Sequence, residues 1–248
     1  MSRAPTSAAF SQSRLISLLS TLGGPAAGTE SRHFGPRLGG MIDLSNSVTL
    51  ADTLAMLERR PFEAVDEDPR RAREDFLRVR AAMIAAVMRS LVPGTGATRI
   101  QWPEAVMEAG GGDALKRFYS AHQREMDARV RGVHERSRDA LSGADSGLAQ
   151  LANLDEVLGD ILAVHSRRVF ATIPGVLVKM QAAAREALLQ GAAEAEQQLK
   201  SDVQALLLAE IDARLLPVLG LIEALDEHLA EHPGQTPCQA PTQESEAL

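Results

Sequence analysis

Two short patterns in the sequence have the residue types and spacing of metal sites. His228–His232 (HLAEH) places two histidines one helical turn apart beside a glutamate, as an inverted zinc-protease motif does. Pro233 and a low-complexity tail follow directly, so no later helix can supply a third ligand. Glu30–His33 (ESRH) has the spacing of a di-iron bundle, which needs a second copy and two further glutamates. We therefore predict no metal site and interpret HLAEH as a solvated helix end.

Basic residues suggest two further kinds of site. His165, Arg167 and Arg168 end a predicted helix, where cations commonly complement the helix dipole; the alternative is a ligand or phosphate site that forms around them in three dimensions. The arginines at 70–80 alternate with acidic residues, which indicates ion pairs on a solvated helix face, with nucleic-acid contact as the alternative.

Motifs for catalysis or cofactor binding are missing from the sequence. Gly110–Gly112 precede a helix, but no strand and no Walker pattern accompany them. There is no Ser/His/Asp set, CxxC pair or dinucleotide-binding glycine pattern. We predict no catalytic, cofactor-binding or metal-binding residue, and no enzyme.

Composition predicts an all-α protein. Of the 248 residues 45% are apolar but only 3% are aromatic, so the core must consist of Leu, Ile, Val, Met and Ala, which favours packing of helix on helix. Residues 1–144 carry 20 Lys and Arg against 17 Asp and Glu, whereas residues 145–248 carry 6 against 16. The acidic second half argues against a nucleic-acid partner. The one cysteine, Cys238, is compatible with a reducing compartment and a cytoplasmic protein.

The pattern of helical and breaking residues predicts an elongated helical bundle with long, partly coiled-coil-like C-terminal helices. The predicted parts are a flexible N-terminus (1–12), an N-terminal helical segment (13–91), a Gly/Pro linker (92–112), a long-helix bundle (113–232) and a disordered tail (233–248). Leucines at helical spacing near residues 15–22 indicate an amphipathic helix retained in the mature protein, rather than a cleaved signal. We expect no transmembrane span, since charges interrupt the best candidate, residues 203–225. The sequence is compatible with peripheral contact between this protein and the inner membrane.

The C-terminal half is predicted to contain a helix over 146–171, a break, and a restart at Ile173-Pro174. The segment from 174 to about 231 then either bends back at Gly191 or forms an elongated coiled coil or hairpin.

A run of apolar residues in the last helix steps by three and four in turn, as in a heptad repeat. We call this run the seam: Leu208, Ile211, Leu215, Val218, Ile222, Leu225 and Leu229. Pro217 lies off the seam and predicts a kink, the alternative being two short helices that meet at Leu216. We expect the seam to be either core or a docking face.

The sequence resembles the uncharacterised proteobacterial family catalogued as domain of unknown function 3348. The resemblance rests on LLAEIDARLLPVLGLIEAL near the C-terminus, with LANLDEVLGDIL, FATIPGVLVKM, HQREMDARV and SRLISLLSTL in the expected order. Family members carry tryptophans in the second segment, where this chain has LGGMIDLSNSVTL and Asp43 alone matches. The resemblance implies no activity, but it implies gene neighbours that encode envelope proteins of the TolQ/MotA and OmpA-like kinds.

Together these features predict a non-enzymatic helical protein that acts as a protein–protein interaction, scaffold or accessory component linked to an envelope assembly. A protein partner or self-association is expected. The alternative is a small-ligand-binding or enzymatic bundle whose site has no linear motif.

Overall fold

The computed structural model describes residues 14–22, 44–57, 70–92 and 99–232. Within these ranges the chain has six helices and no strand, which confirms the predicted all-α bundle. The helices are α1 (Arg14–Thr21), α2 (Leu44–Leu57), α3 (Arg70–Ser90), α4 (Gly111–Ala144), α5 (Ser146–Leu189) and α6 (Ala195–Glu231). The predictions for 1–12, Glu30–His33, Asp43 and the tail with Cys238 lie outside the described residues. The elongated shape, the coiled-coil character and the domain division stay predictions.

Helix α6 is the central helix of the bundle. It contacts α1, α3, α4 and α5, and Leu15 and Leu19 of α1 are buried. Because a helix with neighbours on several sides buries more than one stripe, Leu206, Leu207 and Ala209 are buried together. Five seam residues are buried and two, Leu208 and Leu229, are partly buried. The structure therefore places the seam in the core of this chain rather than on an exposed face.

Helix α6 continues through Pro217, so the alternative of two short helices meeting at Leu216 is wrong. Pro217 and Leu216 are both exposed, and so is Gly220 one turn later. The proline ring thus faces outward, where the loss of one backbone hydrogen bond disturbs no packed neighbour. The kink itself stays a prediction.

Helix α5 also continues through a proline, and the predicted break at 171–174 is wrong. Pro174 has no N–H, so the carbonyl of Phe170 loses its usual helical donor. The side chain of Gln123 on α4 replaces it: Nε2 donates to the Phe170 oxygen at 3.0 Å. The chain instead reverses at Gly191, whose φ of 97° lies in the left-handed region, and α5 and α6 form a helical hairpin.

Within the predicted linker (92–112), residues 99–110 precede α4 and pack onto the bundle. Val106 is fully buried, and Gln181 Nε2 on α5 donates to its carbonyl at 2.8 Å. Helix α4 begins at Gly111, two residues before the predicted start at Asp113. A Cβ at Gly111 would lie 2.0 Å from the Val106 oxygen, so this close approach requires glycine.

Candidate functional site

The basic residues that sequence analysis singled out form no enclosed site. Arg167 and Arg168 are exposed on α5, His165 is half-buried, and Arg167 Nε donates to Ala163 O of its own helix at 3.1 Å. They lie on the surface of a single helix, where no wall separates a ligand from solvent.

The arginines of α3 make ion pairs within the chain. Arg78 pairs with Asp75 on the same helix, as expected for a solvated face. Arg73 lies 3.2 Å from Asp226, and Arg80 donates to Asp212 at 3.0 Å, so both connect α3 to α6. These pairs between helices could not be predicted from local spacing, because their partners lie more than one hundred residues apart in the sequence.

His228 and His232 lie at the end of α6, with ring centroids 4.6 Å apart. Among the described residues no group of three or more His, Cys, Asp or Glu side chains is placed to hold a metal ion. The structure thus brings no third ligand to the HLAEH pattern within the described ranges.

A buried polar cluster joins α4 to α6. We call it the Glu210 cluster: Tyr119, Gln123 and Asp127 of α4 with Glu210 and Arg214 of α6. Tyr119 donates to Glu210 Oε2 at 2.7 Å, and Gln123 Nε2 lies 3.0 Å from Oε1. Arg214 donates to Glu210 Oε1 through Nε at 2.8 Å and also pairs with Asp127. Each carboxylate oxygen of Glu210 therefore accepts at least one hydrogen bond.

The same cluster reaches α5 at the point where Pro174 interrupts the helical hydrogen bonds. Gln123 donates to the Phe170 carbonyl, and the Arg214 guanidinium lies 3.9 Å from the centre of the Phe170 ring. Cations over aromatic faces attract the ring electrons, so this contact holds α6 against α5. Three helices consequently meet at one set of polar side chains.

The centre of the Glu210 cluster is closed to solvent, whereas Asp127 at its edge is exposed. Tyr119 and Glu210 are both 0% exposed. Burial, together with the Glu210 charge and the hydrogen bond to it, raises the pKa of Tyr119 well above its usual value, so the phenol stays a neutral donor. A fully paired carboxylate with no path to solvent cannot meet a substrate. Its physical role is to fix how α4, α5 and α6 align, since a shifted register would leave a buried charge unpaired.

A second buried pair looks superficially like a catalytic dyad. Ser90 Oγ lies 2.9 Å from His122 Nε2, and burial lowers the pKa of His122 to about 4. The serine hydroxyl donates to Val87 O at 2.8 Å, so it must accept from the histidine N–H, which is the reverse of base activation. Ser90 is 1% exposed and His122 is 3% exposed, which leaves no room for a substrate.

The outward face of α5 carries a row of exposed residues that step by four and three in turn. We call it the outer stripe: Val164, Arg168, Ala171, Gly175, Val178, Ala182, Arg185 and Leu189, all exposed. Val164 is 47% exposed, Val178 36% and Leu189 72%. Six of the eight residues are apolar, in contrast to the polar outer face of an ordinary surface helix. The row is exposed on a helix whose other residues pack against α2, α4 and α6.

Helix α5 is also the one helix in the described part of the chain that is long and apolar enough to cross a membrane by length and composition, and 22% of that apolar window is buried. The sequence pattern had instead made residues 203–225 the best candidate for a span. The outer stripe was not predicted, because the break expected before Pro174 divided the row in two.

The family match decides how the chain is classified. Residues 1–227 match the family model described as Protein of unknown function (DUF3348). The chain belongs to this family. No curated protein and no solved structure matches the chain.

The DUF3348 match confirms the resemblance found in the sequence, whereas the proteobacterial origin stays an implication. It covers the Glu210 cluster and the outer stripe, so both lie within the family's region of the chain. The segment in which DUF3348 members were expected to carry tryptophans is described from Leu44 onward only.

Proposed function

We propose that this chain is a non-enzymatic helical protein that binds another protein through the outer stripe of α5. The observation that carries the proposal is the contrast between α5 and α6. The apolar seam of α6 is packed inside the chain, while Val164, Val178 and Leu189 of α5 are exposed in one row. Exposed apolar surface in a contiguous row is typical of interaction sites.

The alternative of a ligand-binding or enzymatic bundle requires buried, clustered polar residues, and the Glu210 cluster is such a set. Its carboxylate, however, is fully buried and accepts hydrogen bonds from Tyr119, Gln123 and Arg214. A site for a ligand needs groups with unsatisfied hydrogen-bonding capacity facing a cavity. The paired state of Glu210 therefore favours a structural role and supports the interaction proposal.

The proposal includes a cytoplasmic location beside the inner membrane, as an accessory of an envelope assembly. This part rests on the gene neighbours implied by the family resemblance and on the single cysteine. The expected partner is a protein and not a nucleic acid, since Arg73 and Arg80 of the basic segment already pair with acids of α6.

A cross-linked pull-down of the tagged chain from its own cells, membranes included, tests the proposal. The test variant is Val164→Glu/Val178→Glu, which places two charges on the outer stripe. The matched control is Leu77→Glu/Met88→Glu on α3, where the native side chains are 52% and 44% exposed.

We expect a specific partner that the native chain and the control both recover and that the test variant loses. Substitutions at exposed positions usually change stability little, so all three proteins should be folded, and thermal denaturation checks this. Recovery of the same proteins by the native chain and the test variant would contradict the proposal.

A further inference from the structure

The outer stripe contains two arginines whose positions restrict what can cover it. Arg168 and Arg185 are exposed, and neither makes an ion pair with the described residues. They are 17 positions apart in the sequence, which at 1.5 Å per residue separates them by about 25 Å along α5. This inference rests on the proposed function, because it names the chemistry of the partner that the outer stripe binds.

A second copy of this chain does not satisfy these arginines. In a parallel pairing of two outer stripes, Arg168 faces Arg168. In an antiparallel pairing that keeps apolar residues together, Val164 faces Leu189, Ala171 faces Ala182, and Arg168 then faces Arg185. Either arrangement brings like charges together as water is removed, which is unfavourable.

A lipid surface also fits the stripe poorly. Helices that lie in a membrane interface bury Trp, Phe and Leu on their apolar face. The outer stripe has no aromatic residue, and its only large apolar side chains are Val164, Val178 and Leu189. Its two arginines lie within the apolar row rather than along its border.

The middle of the stripe is suited to close contact with a helix. Ala171, Gly175 and Ala182 leave shallow positions between the larger side chains, and a Cβ at Gly175 would meet nothing within 4 Å. Small residues on one helix accept large side chains from the other and allow the two backbones to approach.

We propose that the outer stripe binds an amphipathic α-helix of a partner protein. This helix carries large aliphatic residues over its middle turns and one carboxylate near each end, about 25 Å apart, so that the carboxylates pair with Arg168 and Arg185. Arginine suits this role because its planar guanidinium binds a carboxylate through two hydrogen bonds.

Two designed helical peptides of roughly 28 residues, long enough to span the stripe, test this partner chemistry. Both have leucines along one face, and they differ only at two positions 17 residues apart, which are Glu in one peptide and Lys in the other. Fluorescence anisotropy measures the binding of each labelled peptide to the full chain, to Arg168→Glu/Arg185→Glu, and to the control Arg124→Glu/Arg131→Glu, which reverses two exposed charges on α4.

We expect the full chain and the control to bind the Glu peptide at least about tenfold more tightly than the Lys peptide, and the Arg168→Glu/Arg185→Glu variant to reverse that order. Equal affinity for the two peptides, or no binding of the Glu peptide, would overturn the proposal. Two further outcomes would also overturn it. One is a concentration-dependent dimer that Arg168→Glu/Arg185→Glu strengthens, and the other is binding of the chain to phosphatidylcholine/phosphatidylglycerol vesicles in place of the peptide.

The two proposals fail in distinguishable ways. If the pull-down partner survives Val164→Glu/Val178→Glu, the outer stripe is not an interaction surface and the proposed function fails. If that variant loses the partner but Arg168→Glu/Arg185→Glu retains it, the surface stands and only the acidic helix is excluded.

Discussion

Helix α5 contains a proline that the structure tolerates because Gln123 compensates for it, and this compensation can be measured. Gln123 Nε2 lies 3.0 Å from the Phe170 oxygen and 3.0 Å from Glu210 Oε1. The substitution Gln123→Leu removes both hydrogen bonds. A buried carbonyl without a donor costs about 1–3 kcal/mol, and a lost hydrogen bond to a charged group costs about 1.5–3 kcal/mol. Since Gln123 is half-buried, we expect a total near the lower end, about 3 kcal/mol.

The same substitution should cost less when Pro174 is replaced by alanine. Alanine restores an N–H at position 174, which can donate to the Phe170 oxygen within α5. Gln123→Leu then removes only the hydrogen bond to Glu210. The double-mutant cycle of Gln123→Leu with Pro174→Ala should therefore give a coupling of about 1–2 kcal/mol.

Urea denaturation followed by far-UV circular dichroism gives the four free energies of unfolding for this cycle. A second cycle, Gln123→Leu with Pro217→Ala, is the control. Pro217 is an exposed proline on α6, and Gln123 does not replace the hydrogen-bond donor that is missing there. Its effects should be additive. If the Pro174 cycle is also additive within about 0.5 kcal/mol, Gln123 does not replace the missing donor and the reasoning is refuted.

Two further predictions concern pH and glycine. Burial lowers the pKa of His122 from 6.5 to about 4, although the Glu125 charge acts in the opposite direction. Below pH 6.5 the unfolded chain therefore binds a proton at His122 that the folded chain does not bind. Stability is thus fully present above pH 6.5 and decreases as the pH falls towards 4. We expect the free energy of unfolding, measured by urea denaturation, to be about 2 kcal/mol lower at pH 5 than at pH 7.5. The substitution His122→Phe should remove most of this difference. An unchanged difference would show that His122 is not its source. Gly111→Ala should lower the melting temperature, because its Cβ would lie 2.0 Å from a backbone oxygen, whereas Gly220→Ala on the exposed side of α6 should stabilise the protein by about 0.5–1 kcal/mol. Equal melting temperatures for these two variants would contradict the packing described at Gly111.

Local signals in the sequence predicted much of the fold. The low aromatic content and the helical spacing of leucines indicated an all-α bundle, which the structure confirms. A bend at Gly191 was one of the two alternatives for the segment after residue 174, and the structure shows it, because glycine accepts left-handed backbone angles that terminate helices. These features depend on residues that are close together in the sequence, so one sequence is enough to predict them.

Features that depend on distant residues were not predictable in the same way. Pro174 was expected to begin a new helix after a break, because the residue that compensates for it within one continuous helix, Gln123, lies 51 positions earlier in the sequence. Glu210 was interpreted only as a charge that interrupts an apolar segment, although it is fully buried and paired. Whether a charged residue in an apolar helix faces water or a partner depends on which helices surround it, and the sequence pattern of one helix contains no such information.

The compensation at Pro174 also connects the buried cluster to the proposed binding surface. Val164 and Leu189 lie on the same side of α5 only if the helix is uninterrupted between them, since a break near Pro174 would rotate one half relative to the other. Gln123 stabilises the helix at that point, and Glu210 and Arg214 hold Gln123 and Phe170 from the other side. The Glu210 cluster therefore need not perform chemistry to matter for the proposed function. By keeping α5 continuous through a proline, it keeps the outer stripe in the single row that the proposed partner helix requires.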